Sequence, residues 1–394
     1  VPAMLFSNDR DVAIRALKNL EKQLTEYDLS NELIVVYKAL ARLSMYNGDF
    51  DYYEKEYNRH VAYSLAVVKA EDLFYEFVKR AGSYQLTRDE RDFEAVQSIL
   101  RELTNISELY HGHRLFVLYN LVRIYYLCLF TSRVETLKAL EIEVDSILQQ
   151  IRKHFEKYEL DTFYQGVRFL VDFLYFEYYQ RTGNQVRADH YYSMINKQVP
   201  DIAFKPAFSF YVTEFLNSKV ARFLATRDTQ QLLDLNAELE SNFDVDVNEP
   251  YPYISFQRFN AIGKFYQQDF AGAARIINNL RNETSLKKFL FTDVEYKLFQ
   301  AMQYCFQGED GLCNQLLQSV KRQIVENDNN YQPALHLIKM LKAAIKPEEF
   351  RKKVKKLTEL NEQFRQVNQG AHRMFWYIQL DEQMIRRMAN PIKD

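Results

Sequence analysis

His111-Gly112-His113 is the closest approach of this sequence to a metal-binding motif. Two imidazoles at i, i+2 need a third ligand from elsewhere, and the seven histidines are scattered. No HExxH or CxxC accompanies them, so the expectation is solvated imidazoles in a loop, and no metal is assigned. Asp244, Asp246 and Asn248 alternate like the start of a calcium loop. That loop needs Gly at its sixth position and Glu six residues further on. Here the sixth residue is Glu249 and no such Glu follows. An acidic connection is expected instead, with Glu249-Pro250-Tyr251-Pro252 opening a helix. Neither a phosphate loop (GxxxxGK[ST], GxGxxG) nor a GxSxG nucleophile elbow is present. Cys305 and Cys313 flank Gly308 and read as small buried residues of a helix hairpin. Residues 339–357 hold eight basic and two acidic side chains. They could meet an acidic partner or nucleic acid, but without interleaved aromatics they read as a solvated helix face. No paired acid and base is legible. The expectation is therefore not an enzyme, with no catalytic residue and no cofactor.

The elements that would position any site are helices. Ten Gly and eight Pro in 394 residues fall well below the usual ~7% and ~5%, and sheet-rich chains need frequent turn residues. The net charge of −2 offers nothing to a polyanion, so no nucleic acid is expected. Three cysteines (Cys128, Cys305, Cys313) make no disulfide framework and fit a reducing, cytoplasmic setting. The start, VPAMLFSNDR, shows no basic region followed by an apolar run. It also lacks an initiator Met, so a domain upstream of Val1 is one expectation. The most apolar stretch, residues 115–130, carries Asn120 and Arg123. It falls short of the roughly 20 apolar residues of a membrane span, and a buried helix is expected rather than a membrane segment.

Residues 32–46 place Ile34, Val35, Leu40, Leu43 and Met45 near a 3.6-residue stripe. Turn signals recur near Gly48, Gly82, Ser132, Gly183, Arg227, Gln268 and Gly308, about 43 residues apart on average. Such a period marks stacked helix pairs, because one pair cannot bury its apolar stripe alone. In residues 179–200, Tyr179, Gly183, Ala188, Tyr192, Ile195 and Pro200 follow at steps of 4, 5, 4, 3 and 5 residues. Gly183 suits the turn, Ala188 a close crossing, Tyr192 and Ile195 an interface, and Pro200 the helix end.

That order of residue types resembles the tetratricopeptide repeat, with Tyr175 and Phe176 where the family has Leu-Gly. Tyr37, Leu40, Ala41 and Gly48 match it in part, with Tyr53 in place of Ala. Phe259, Ile262, Gly263, Tyr266, Ala273, Ile277 and Leu280 match another unit, with a short turn at 267–270. Ala301, Tyr304, Gly308, Cys313, Leu317 and Val320 match a third. The resemblance implies an all-α fold, a right-handed α-α superhelix of about seven helix pairs plus C-terminal cap helices. Residues 1–394 would form one α-solenoid, with repeat-like pairs over 32–325 and the cap over 331–394. The last cap helix would turn Met374, Phe375, Tyr377 and Ile378 inward.

In such stacks the first helix of each pair lines the concave side. Polar residues inside those helices are the binding candidates: Lys38 and Arg42; Asn120 and Arg123; Gln165 and Arg168, with Asp172 on the same face; and Gln257, Asn260 and Lys264. They could grip a peptide backbone or carboxylate. The implied function is a non-catalytic protein- or peptide-binding scaffold. The alternatives are a sensor module whose output domain lies upstream, and an all-α enzyme. Nothing in the sequence sets the partner or the oligomeric state.

Overall fold

Helices account for most of the described residues. The computed structural model describes residues 9–391, except 47, 132, 159–161, 204, 206–208, 235–238, 240–242, 244, 328–330 and 370–372 and the side chains of 162, 163 and 165. Within these, the structure is all-α, with no strand. The helices are α1 (Arg10–Glu26), α2 (Ser30–Leu43), α3 (Phe50–Thr87), α4 (Glu90–Leu109), α5 (His113–Phe130), α6 (Val134–Ala139), α7 (Glu141–Lys157), α8 (Thr162–Thr182), α9 (Gln185–Ile202), α10 (Ser209–Thr226), α11 (Thr229–Leu233), α12 (Pro250–Tyr266), α13 (Phe270–Glu283), α14 (Leu290–Gln307), α15 (Asp310–Glu326), α16 (Gln332–Ala344), α17 (Phe350–Val367) and α18 (Glu382–Ala389). None is long and apolar enough to cross a membrane.

The chain divides into two compact units. One comprises Val1–Ala81, Phe93–Leu129 and Ala139–Val171, the other Gly82–Asp92, Phe130–Lys138 and Asp172–Asp394. In the first, Leu17 and Leu24 of α1 pack on Leu33, Val36, Tyr37 and Leu40 of α2, with Tyr53 of α3 closing the cluster. The inward stripe of α2 therefore differs from the expected one. Leu33, Val36, Tyr37 and Leu40 follow i, i+3, i+4, i+7 and are buried, whereas Val35 is 46% and Met45 56% exposed. Tyr37 supplies more apolar area than either, so the face that buries it wins.

In the second unit each helix from α12 to α17 packs on the next, and α10–α12 and α14–α16 also touch. This is the neighbour-on-neighbour packing of a helical repeat. Five of the connections share one device: a left-handed residue followed by Asp, Asn or Glu. The pairs are Arg88-Asp89, Gly183-Asn184, Arg227-Asp228, Gln268-Asp269 and Gly308-Glu309. The first residue turns the chain back. The next caps the following helix in four of the five, as when Asp269 Oδ1 accepts the Gly272 N–H at 2.7 Å and Asp228 Oδ1 that of Gln231 at 3.0 Å.

Some expected punctuation lies elsewhere. Gly82 is inside α3, and the turn comes at Arg88. Gly82 is needed because a Cβ there would lie 2.9 Å from the Tyr251 ring. Ser132 lies outside the described residues. Pro200 sits within α9, which runs two residues further. The Tyr175 ring stacks on Tyr191 at 4.5 Å, and Phe176 meets Tyr192 at 5.6 Å, so rings fill the gap where a Leu-Gly pair would let helices approach. The expected third C-terminal helix is largely absent. Met374, Phe375 and Tyr377 are buried as expected and Ile378 half-buried, but they belong to an irregular strap that precedes α18.

Candidate functional site

Lys38 and Arg42 are exposed on α2, the Lys38 ammonium 5.9 Å from the Tyr57 ring centre. Asn120 is buried, and its amide donates to Phe116 O of the same helix at 2.8 Å, which ties it to its own backbone. Arg123 pairs with Glu143 of α7 at 2.6 Å. The Gln165 side chain lies outside the described residues. Arg168 is exposed, whereas Asp172 is buried and accepts from Gln198 at 3.2 Å, so the two present no shared polar face. In the second unit, Gln257, Asn260 and Lys264 do share one half-buried face of α12. Lys264 reaches to 3.7 Å from Asp269, and Asn260 Oδ1 is enclosed without a hydrogen-bond partner among the described residues.

The histidine motif is split. His111 is exposed, but His113 is buried at the start of α5, contrary to the expectation of solvated imidazoles. Its ring stacks on Tyr158 at 3.8 Å, its Nδ1 bonds the Tyr164 hydroxyl, and its Nε2 lies 3.6 Å from Asp28. Among the described residues no three His, Cys, Asp or Glu side chains are grouped to hold a metal ion. Asp244 lies outside the described residues, and Asp246 Oδ1 accepts from the Asn248 N–H at 2.8 Å, an ordinary turn.

A second polar set, which the sequence reading passed over, lies on buried sides of α10, α12 and α14. Glu214 accepts from Gln85 at 3.2 Å and from the Tyr251 hydroxyl. Asn217 donates to Tyr251 Oη at 3.1 Å and accepts from Arg258 at 2.7 Å. The Arg258 guanidinium sits 5.8 Å from the Trp376 ring and 5.5 Å from Tyr377. Glu295 accepts the Phe375 N–H at 2.7 Å. Thr292 donates to Leu86 O at 2.7 Å, and the Arg88 side chain lies over Tyr84 and Phe291. Buried charges are tolerated only with partners of this kind. The signal was present in sequence: Glu214, Arg258 and Glu295 each stand among large apolar residues, as in Phe256-Gln257-Arg258-Phe259 and Val294-Glu295-Tyr296.

Burial pushes Glu214 up to about 7, against the pull of the Tyr251 and Gln85 bonds. Burial also raises Glu295, opposed by Arg258 and the Phe375 N–H. It lowers Arg88, although Glu295 favours the charge. Both Glu214 oxygens face Gln85, so the carboxyl is engaged in holding the end of α3. Chemically, the set supplies fixed donors and acceptors in dry surroundings, and it uses them on polypeptide: the 85–88 segment and the strap. Comparison with protein-family models, with curated proteins and with solved structures finds no match to this chain.

Proposed function

We propose that this chain is a non-catalytic scaffold that binds a protein or peptide, with the Gln257–Asn260–Lys264 face of α12 as contact surface. The observation that carries this reading is Asn260, whose Oδ1 is enclosed yet lacks a partner among the described residues. A buried acceptor left unmade costs roughly 1–3 kcal/mol. Asn260 itself is half-buried, and rotation of its amide toward the surface would let a peptide N–H satisfy it. A carboxamide can bond a peptide group on both sides, as Asn368 does with Met374 N at 2.8 Å and Met374 O at 2.6 Å. Gln257 offers a second carboxamide one turn away, and Lys264 an ammonium whose exposed contact with Asp269 contributes little. The row thus suits a polypeptide main chain that ends in, or carries, a carboxylate. Tetratricopeptide-type stacking of the helix pairs is part of the same proposal.

The test is capture from lysate with the native chain and with a Gln257→Ala, Asn260→Ala, Lys264→Glu variant. A protein held by the first and lost by the second supports the row. Equal capture by both removes the row from the reading, and capture by neither removes the scaffold.

A further inference from the structure

Met374–Leu380, between α17 and α18, is buried or half-buried along its length, and it makes few main-chain bonds of its own. Ile378 N–H reaches Phe375 O at 2.9 Å. Among the described residues, its other main-chain bonds go to side chains. Phe375 N–H donates to Glu295 of α14 at 2.7 Å. The Tyr266 hydroxyl of α12 donates to Tyr377 O at 3.0 Å and accepts Gln379 N–H at 3.1 Å. Asn361 and Arg365 of α17 donate to Leu380 O at 3.3 and 3.2 Å.

Ring anchors accompany these bonds. Phe375 and Tyr377 lie 6.3 and 6.0 Å from Phe299 of α14, and Arg258 faces Trp376 and Tyr377. Phe375 has φ 53, a left-handed conformation that a bulky side chain rarely takes. Residues 373–380 contain no Gly or Pro, and the local boundary comes after them, at Asp381, whose Oδ1 accepts the Met384 N–H at 2.8 Å and caps α18. The surface beneath imposes the irregular shape. Side chains gripping a main chain, with alternate rings in pockets, is how helical and sheet surfaces hold a foreign peptide.

We propose that Arg258 and Tyr266 of α12 with Glu295 and Phe299 of α14 form a peptide-docking site, and that the strap is its resident occupant. The partner that displaces it is a short peptide with aromatic residues at i and i+2, whose first residue offers its N–H to Glu295 and whose third offers its carbonyl to Tyr266. This inference extends the peptide-binding reading to a surface that does not include Gln257, Asn260 or Lys264. The strain at Phe375 makes the occupant one that can yield.

The probe is a fluorescein-labelled synthetic peptide with the sequence of residues 373–381, RMFWYIQLD. Its binding is followed by anisotropy to the native chain and to a Phe375→Ala, Tyr377→Ala variant, whose vacated ring sites it would refill. At least tenfold tighter binding to the variant is expected. Equal binding to both, or no binding to a variant whose circular dichroism matches the native chain, overturns the proposal. Should the variant fail to fold, hydrogen exchange of the native chain decides. The Phe375 and Gln379 amides are expected to exchange at least 100-fold faster than that of Phe299, and equal protection overturns the proposal. No foreign partner is needed, so either outcome is independent of the lysate capture.

Discussion

Glu214 shows how one buried residue couples this fold to pH. It is 3% exposed, and burial raises its pKa from the usual 4.5 to about 7. The fold therefore favours the protonated form. Its stabilising contribution is complete below pH 4.5 and is lost as pH rises through 7, by up to about 3 kcal/mol. Urea unfolding of the native chain is expected to show falling stability from pH 5 to 8. Glu214→Gln, which stays neutral, is expected to remove that component, and parallel curves for the two proteins would sink the assignment. Polar residues inside apolar helices point to Gln257 and Asn260, one and two positions either side of Arg258. Helical spacing says which residues share a face but not which face points inward, so Arg258 was passed over.

At the scale of the element, the turns carry the repeat more faithfully than the helices do. Gly308 (φ 74) takes the left-handed conformation without a Cβ, and Gly308 N and Glu309 N close on Cys305 O and Tyr304 O. Arg227 and Gln268 hold the same conformation with side chains attached. Gly308→Ala is expected to cost about 1 kcal/mol, and Arg227→Gly or Gln268→Gly to gain a few tenths to about 1 kcal/mol. Chemical denaturation midpoints check both signs; destabilisation by Gln268→Gly would mean that the turn is set by another contact. Gly183, Arg227, Gln268 and Gly308 were all legible as turns because polar residues interrupt an apolar stripe there. Gly82 misled, because a glycine demanded by a neighbouring ring looks in sequence like one demanded by a turn.

For the whole molecule, two compact units divide the chain, and among the described residues of the second, contacts between successive helices predominate. Arrays of this kind lose cooperativity as they lengthen. Guanidinium unfolding followed by circular dichroism and by Trp376 fluorescence is therefore expected to give transitions that do not coincide. One shared two-state transition would contradict this.

The sequence by itself determined the all-α class, the helix-pair rhythm and most turn positions. These follow from local causes: scarce breakers, 3.6-residue periodicity and polar interruptions. It also placed Ala188 and Ile195 at helix contacts and Cys305 and Cys313 in a buried hairpin, where all four are buried. Tertiary structure alone decided that Glu214, Asn217, Tyr251 and Arg258 join into one network, that Arg123 is taken up by Glu143, and that residues 374–380 abandon the helix. Each of these depends on partners distant in the chain, from 20 residues for Arg123 to 113 for Gln379. A buried carboxylate or a strap on a foreign surface is set by what surrounds it, and local propensity carries no record of those surroundings.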